Sequence, residues 1–187
     1  MGFTDIVDSS LTIEHLSSRD DRLIARSRVR RSAMASSSLT VQYRSSVHRM
    51  FRFAMEDTAD YLVVSGNGTV TVGPQSENSC FVVHQFDPLQ DTVGTVMVLE
   101  TRTGDFVTGG SSEVSLMENS SSLESVSETD ERFFLLETHD ATTYKIKHLH
   151  TGKYLLGSDG HVSLVSGANG FTEDMLFHMF NCSGTSS

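Results

Sequence analysis

Apolar and polar residues alternate in short segments along residues 51–182. Examples are "TVMVL", "TYKIK" and "GTVTV", and turns rich in Gly, Asn, Asp and Ser, such as "SGNGT" and "GSDGH", separate the segments. Alternation over four to eight residues is typical of a half-buried β-strand, and these turn residues favour tight connections between strands. The pattern therefore predicts an all-β domain.

The alternating segments recur in three copies, each built around an aromatic anchor. The anchors lie 45 and 48 residues apart and each precedes an aliphatic residue, giving the pairs Tyr61 and Leu62, Phe106 and Val107, Tyr154 and Leu155. Counting back eight and ten residues from each anchor finds the apolar strand positions Phe53 and Phe51, Val98 and Val96, Ile146 and Tyr144. We expect one side chain of each anchor pair to be buried.

Each copy also closes with a further alternating strand, "CFVV" at 80–83, "RFFLL" at 132–136 and "LFHMF" at 176–180. Four strands per copy make twelve. One copy cannot bury its apolar face alone, so three copies must share a core and close a barrel that leaves no exposed sheet edge.

The third copy, "TYKIKHLHTGKYLLGSDGHVSLV", resembles repeats of the fascin and hisactophilin group, in which an apolar alternation precedes Gly-x-Tyr-Leu, a turn and Gly-x-Val. The second copy has Phe106 for the tyrosine, and the first has Ala59 for the leading glycine. The resemblance covers roughly residues 51–182 and implies a β-trefoil with pseudo-threefold symmetry. Fibroblast growth factors and interleukin-1 cytokines share that architecture, so the fold leaves the function open.

Charge divides the chain into a basic arm and an acidic domain. Residues 1–50 carry a net charge of +3, with eight arginines and no acid in the stretch 22–52, whereas residues 51–187 carry −13. We therefore predict an irregular arm at 1–50, a trefoil at 51–182 and a flexible tail at 183–187. An acidic trefoil makes nucleic acid an unlikely partner.

Several interpretations of the arm remain open. Arg26, Arg28, Arg30 and Arg31 are candidates for docking onto an acidic surface, because arginine binds carboxylates in a forked geometry. The stretch ending at Arg31 also resembles a furin-type processing site, and Arg31 followed by Ser32 resembles a basophilic kinase site.

Three histidines of the third copy are weak candidates for a metal site. His148 and His150 fall two residues apart, and His161 follows in the next turn. Such spacing suits a metal, and the resemblance to the histidine-rich hisactophilin implies a pH sensor as an alternative. We favour instead a solvated strand edge and turn, and we predict no metal and no cofactor.

Cys80 and Cys182 are the only cysteines. No secretory signal is seen at the N-terminus, so two unpaired thiols are the favoured expectation over a disulfide. The stretch 118–131, "ENSSSLESVSETDE", is the longest departure from the threefold pattern, and its composition suits a partner-binding loop and a solvated loop equally.

No catalytic motif stands out, so we expect no enzyme activity. The fascin resemblance implies a cytoplasmic, non-catalytic protein-binding or structural module associated with the cytoskeleton, such as actin filaments, or with a larger assembly. The alternative is a ligand that resembles interleukin-1 or a growth factor and is released by processing near Arg31. Secretion without a signal peptide and a mitochondrial location are the alternatives to the cytoplasm.

Overall fold

The structure is a computed structural model that describes residues 49–88, 94–118, 123 and 129–182, together with the backbone of 41–43. Side chains of residues 41–43 and 87–88 are not described. The described residues belong to the compact unit Ser37–Ser187, whereas the second unit, Met1–Ser36, lies outside them. The predicted docking arginines and the processing or phosphorylation site at Arg31 and Ser32 therefore lie outside the described residues.

The twelve predicted strands are present as three successive sets of four. The first set is β2 (Met50–Met55), β3 (Tyr61–Val64), β4 (Val70–Gly73) and β5 (Phe81–Pro88). The second is β6 (Thr95–Glu100), β7 (Phe106–Gly109), β8 (Val114–Met117) and β9 (Phe134–Thr138). The third is β10 (Thr143–His148), β11 (Tyr154–Ser158), β12 (His161–Val165) and β13 (Phe177–Asn181). An additional strand, β1 (Val41–Tyr43), lies within the predicted arm and pairs with β5 of the trefoil.

Six of these strands close a barrel. The first and last strand of each repeat pair around the ring in the order β5, β2, β13, β10, β9, β6 and back to β5, with every pair antiparallel. The middle strands form the hairpins β3–β4, β7–β8 and β11–β12, which pack together across the three repeats. A closed six-stranded barrel with three such hairpins is the β-trefoil fold, as the sequence predicted.

The core bears out the predicted anchor pairs. Leu62, Val107 and Leu155 are at most 1% exposed and occupy one apolar cluster inside the barrel. Among the aromatic anchors, Phe106 is buried, whereas Tyr61 and Tyr154 are partly exposed. The aliphatic member of each pair thus contributes to the shared core, as expected for residues that fill equivalent places in three repeats.

One predicted equivalence was wrong by one residue. The turn before each anchor is closed by a backbone hydrogen bond, from Met55 N to Asp60 O, from Thr101 N to Asp105 O, and from His148 N to Lys153 O. The turn of the second repeat is therefore one residue shorter than the turns of the first and third repeats. Inside the barrel, Leu99 and Met97 of β6 occupy the places predicted for Val98 and Val96.

Val96 and Val98 instead face a second apolar cluster. They pack with Phe86, Phe106, Phe133 and Leu135, and Leu123 and Leu149 are partly buried against them. Beside this cluster Arg132 is 5% exposed, lies 5.4 Å from the Phe106 ring centroid, and donates hydrogen bonds of 2.9 and 2.7 Å to both carboxylate oxygens of Asp130. Leu123 and Asp130 belong to the stretch 118–131, so these parts of the insertion pack against the domain.

A disulfide joins Cys80 and Cys182, and the expectation of two unpaired thiols was wrong. The cysteines are 102 residues apart in sequence, but their Cα atoms are 6.1 Å apart. They meet because β5 and β13 flank β2 on opposite sides, where Phe51 pairs with Phe81 and with Asn181. Barrel closure, which sequence spacing does not report, brings the two ends together.

Candidate binding clefts between the repeats

The hairpin tip of one repeat meets the anchor turn of the next at three equivalent positions, and two of these positions are open clefts. Cleft A lies between the tip 65–69 of repeat 1 and the turn 101–105 of repeat 2. Cleft B lies between the tip 158–160 of repeat 3 and the turn 57–60 of repeat 1. The third position, cleft C, joins the tip 110–113 of repeat 2 to the turn 149–153 of repeat 3. The clefts differ in side chains and also in backbone, because the paired strands leave five, four and two residues between them and the turn of repeat 2 is one residue shorter.

The residue whose backbone N–H closes each anchor turn faces one residue of the neighbouring hairpin, and the two residues are matched in size. A Cβ atom added to Gly157 would lie 2.8 Å from the Met55 sulfur, and one added to Gly109 would lie 2.8 Å from the His148 ring. A side chain at either glycine would therefore force a shift, of the His148 ring at Gly109 and of Met55 and Val72 at Gly157. At cleft A the matching pair is Val64 and the smaller Thr101, and both line an open cleft.

Cleft A has a volume of about 360 Å³ and mixes charged, polar and apolar groups. Its central carboxylate, Asp105, is held by its own turn. The Thr103 hydroxyl donates to Asp105 Oδ2 at 2.8 Å, the Asp105 backbone N–H donates to the Thr101 hydroxyl at 3.0 Å, and Thr101 is 3% exposed. The carboxylate is thus positioned before any ligand arrives.

The other side chains of cleft A complete its chemistry. Arg102 donates from Nη1 to Glu77 Oε2 at 2.8 Å, so the guanidinium charge is balanced at the rim. Asn78 contributes an amide, while Val64 and Leu116 contribute apolar surface. Counting Glu77, the charged groups at this cleft carry a net charge of −1.

Cleft B is smaller, about 280 Å³, and is acidic. It is lined by Asp57, Asp60, Asp159 and Asp174, and no lysine or arginine of the described residues lines it. Asp60 and Asp105 each directly precede an anchor, so they are equivalent residues of the first two repeats.

Cleft C is bridged by the protein's own side chain. Lys153, the equivalent of Asp60 and Asp105, donates from Nζ to the carbonyl oxygen of Ser111 on the facing hairpin tip. The backbone N–H of Leu164 also donates to the carbonyl of Ser112 at 2.9 Å. Two of the three clefts are therefore open, and a lysine spans the third.

His148 is buried, so its interpretation as a solvated residue was wrong. Its side chain is fully shielded, with Nε2 donating to the Glu131 carbonyl at 3.0 Å and Nδ1 accepting from the Thr151 hydroxyl at 2.9 Å. Burial lowers the pKa of His148, outweighing the opposing effect of the Glu131 carbonyl. The alternation in β10 contained this signal, because His148 continues the inward series of Tyr144 and Ile146.

The structure does not gather the three candidate histidines into one site. The His148 and His150 ring centroids are 6.2 Å apart, but His150 and His161 are exposed. Across the described ranges no group of three or more His, Cys, Asp or Glu residues is arranged to hold a metal ion. In the same part of the chain, no helix has the length and apolarity needed to cross a membrane.

Comparisons with known proteins identify the fold. No protein-family model matches the chain, and no curated protein matches it. Among solved structures, it is similar to the designed three-fold symmetric protein ThreeFoil, with a TM-score of 0.53 and 16% identity over 70% of this chain and 96% of that one. It is also similar to SeviL bound to an asialo-GM1 saccharide, with a TM-score of 0.54 and 12% identity over 72% and 98% of the two chains.

A third similar structure is the Haemophilus ducreyi cytolethal distending toxin, with a TM-score of 0.55 and 12% identity over 73% of this chain and 86% of that one. Identities this low show the fold alone. The chain is a β-trefoil protein, and its function has to be argued from its own residues.

Proposed function

We propose that this trefoil is a non-catalytic module that binds a protein partner through its inter-repeat clefts. The observation that carries the proposal is a difference at the residue directly before each anchor. Lys153 bridges its cleft, whereas Asp60 and Asp105 leave theirs open. The pseudo-threefold fold alone does not dictate this difference, because each of these residues directly precedes the anchor of its repeat. A preformed cleft in which a few fixed polar groups lie among apolar side chains is the usual form of a ligand site, and cleft A combines both kinds of group.

The disulfide favours a setting outside the reducing cytosol. Disulfides persist in oxidising compartments and are rare where glutathione and thioredoxin keep thiols reduced. A bond between Cys80 and Cys182 therefore supports the ligand-like alternative, related in architecture to interleukin-1 or growth factors, over a cytoskeletal role. The similarity of the third repeat to the fascin group supports the cytoskeletal alternative, and the two make different predictions about location.

The test is to locate the protein and capture its partner under non-reducing conditions. We expect the oxidised protein outside the cytosol, and we expect a defined protein to be captured by the wild-type chain. A chain lacking residues 1–36, compared across a salt series, reports on the arm, because contacts made by its arginines are screened over about 8 Å at physiological ionic strength. A protein found reduced and bound to actin filaments would contradict the extracellular proposal and support the fascin-like one.

A further inference from the structure

We infer that cleft A receives a lysine side chain from a basic segment of the partner protein. The inference rests on the proposed binding function and names the chemistry that the cleft recognises. It is drawn from the third cleft of the same molecule, which already contains a lysine.

Cleft C serves as the internal precedent. Lys153 stands one residue before its anchor, and its ammonium group binds the carbonyl of Ser111, which stands five residues after the preceding anchor. The equivalent of Ser111 in cleft A is Gly66, which lines the cleft. Cleft A thus offers a backbone carbonyl at the same distance in sequence from its anchor, and the residue equivalent to Lys153 is Asp105. The two backbones are not identical, because the tip 65–69 is one residue longer than 110–113 and the turn of repeat 2 is one residue shorter.

The side chains of cleft A suit an incoming ammonium group. Asp105 accepts from Thr103 through Oδ2, and this bond leaves Oδ1 able to accept from a ligand. Val64 and Leu116 offer apolar surface to the methylene groups of a lysine, which are commonly buried while the charged end stays polar. An ammonium group binding a carboxylate makes a charge-assisted hydrogen bond.

Charge selects a cation over an anion. Among the described residues Arg102 is the one basic side chain lining cleft A, and its pairing with Glu77 offsets its charge. Residues 51–187 carry a net charge of −13, which repels an anionic ligand and attracts a cationic segment at low ionic strength. In cleft A the ammonium group therefore comes from a lysine of the partner, whereas in cleft C it comes from Lys153.

The experiment is an NMR titration of the full chain with the peptide Gly-Lys-Gly, blocked at both ends, and with the same peptide acetylated on the lysine Nζ. We expect the charged peptide to bind with a Kd of about 1 mM, and to shift the amide signals of Gly66, Gly68 and Gly104. The acetylated peptide should leave these signals unchanged, because acetylation removes the charge. Equal shifts with both peptides would overturn the inference.

Three variants assign the site. Asp105→Asn keeps the size of the side chain and should weaken binding about fivefold or more. Asp105→Lys should abolish binding, because it replaces the carboxylate with a positive charge that repels the ammonium group of the peptide. Asp60→Asn, the matched change in cleft B, should leave the shifts of Gly66 and Gly104 intact.

Other outcomes contradict the inference in distinguishable ways. If the charged peptide shifts only Gly157 and Gly160 and Asp60→Asn removes the effect, the lysine site is cleft B and the assignment to cleft A is wrong. If the wild-type chain captures a protein partner but shows no lysine-dependent shifts, the inference fails while the proposed function stands. If the lysine peptide binds cleft A but no protein partner exists, the proposed function fails and so does the assignment of that lysine to a partner protein.

Discussion

Removing the disulfide should produce a large and measurable loss of stability. We consider the double variant Cys80→Ala with Cys182→Ala. The bond closes a loop with a sequence separation of 102 residues, and a loop of about 100 residues restricts the unfolded chain by the equivalent of about 4.7 kcal/mol at 25 °C. Measured losses are commonly about 2–4 kcal/mol, against a total stability of about 5–15 kcal/mol for a domain.

The assay is urea unfolding followed by far-UV circular dichroism, since the chain has no tryptophan. Cys80 is 7% exposed, so replacing it with alanine also removes packing contacts. Wild-type protein with reductant separates the two effects, because it lacks the bond but keeps both sulfur atoms. Reductant should not affect the double variant.

If reduction left the unfolding midpoint of the wild-type protein unchanged, the disulfide would not stabilise the domain by restricting the unfolded chain. Titration of thiols in the unfolded, unreduced protein is an independent check. Two reactive thiols per chain would show that the bond does not form, and the proposed oxidising setting would lose its support.

Three further predictions concern packing and pH. Because burial lowers the pKa of His148, this histidine binds a proton more tightly in the unfolded chain than in the folded one. The free energy of unfolding should therefore fall as the pH drops below about 6.5 and level off below the pKa of the folded state. In urea unfolding measured at several pH values, His148→Gln should reduce this dependence and His150→Gln should retain it. Gly109→Ala should cost about 1–3 kcal/mol by crowding the His148 ring, whereas Gly66→Ala, where the described residues place no atom within 4 Å of the added Cβ, should cost about 0.5 kcal/mol or less. Matched thermal melts would compare the two variants, and equal costs would contradict the packing argument. Leu155→Ala should cost about 2–5 kcal/mol in urea unfolding, and a near-zero cost would show that the side chain is not part of the core.

The repeat pattern predicted the fold because burial of one face imposes alternation on every strand. Leu62 and Leu155 could be placed in the core from their positions beside the anchors. The register of β6 could not be derived from the anchor spacing, since a turn shortened by one residue moves the inward positions from Val98 to Leu99.

The site was less accessible to sequence reasoning because it is made between repeats. Each cleft combines a hairpin tip with a turn about 40 residues further along or at the other end of the domain, and no local motif records that contact. A trace was nevertheless present, because aligning the anchors places Asp60, Asp105 and Lys153 at one position. A change of charge sign at a position that the fold repeats three times is a signal worth seeking in other trefoils.

Pairing of β2 with β13 also determines how this domain tolerates a break in its chain. Asn181 lies opposite Phe51, and the backbone N–H of Cys182 donates to the carbonyl of Met50 at 2.8 Å, so the trefoil begins and ends at one place. A short linker could join these points, and new ends could then be opened within residues 118–131, giving a circular permutant with the same barrel. A protease cut at that insertion would likewise leave two fragments held together covalently through Cys80 and Cys182.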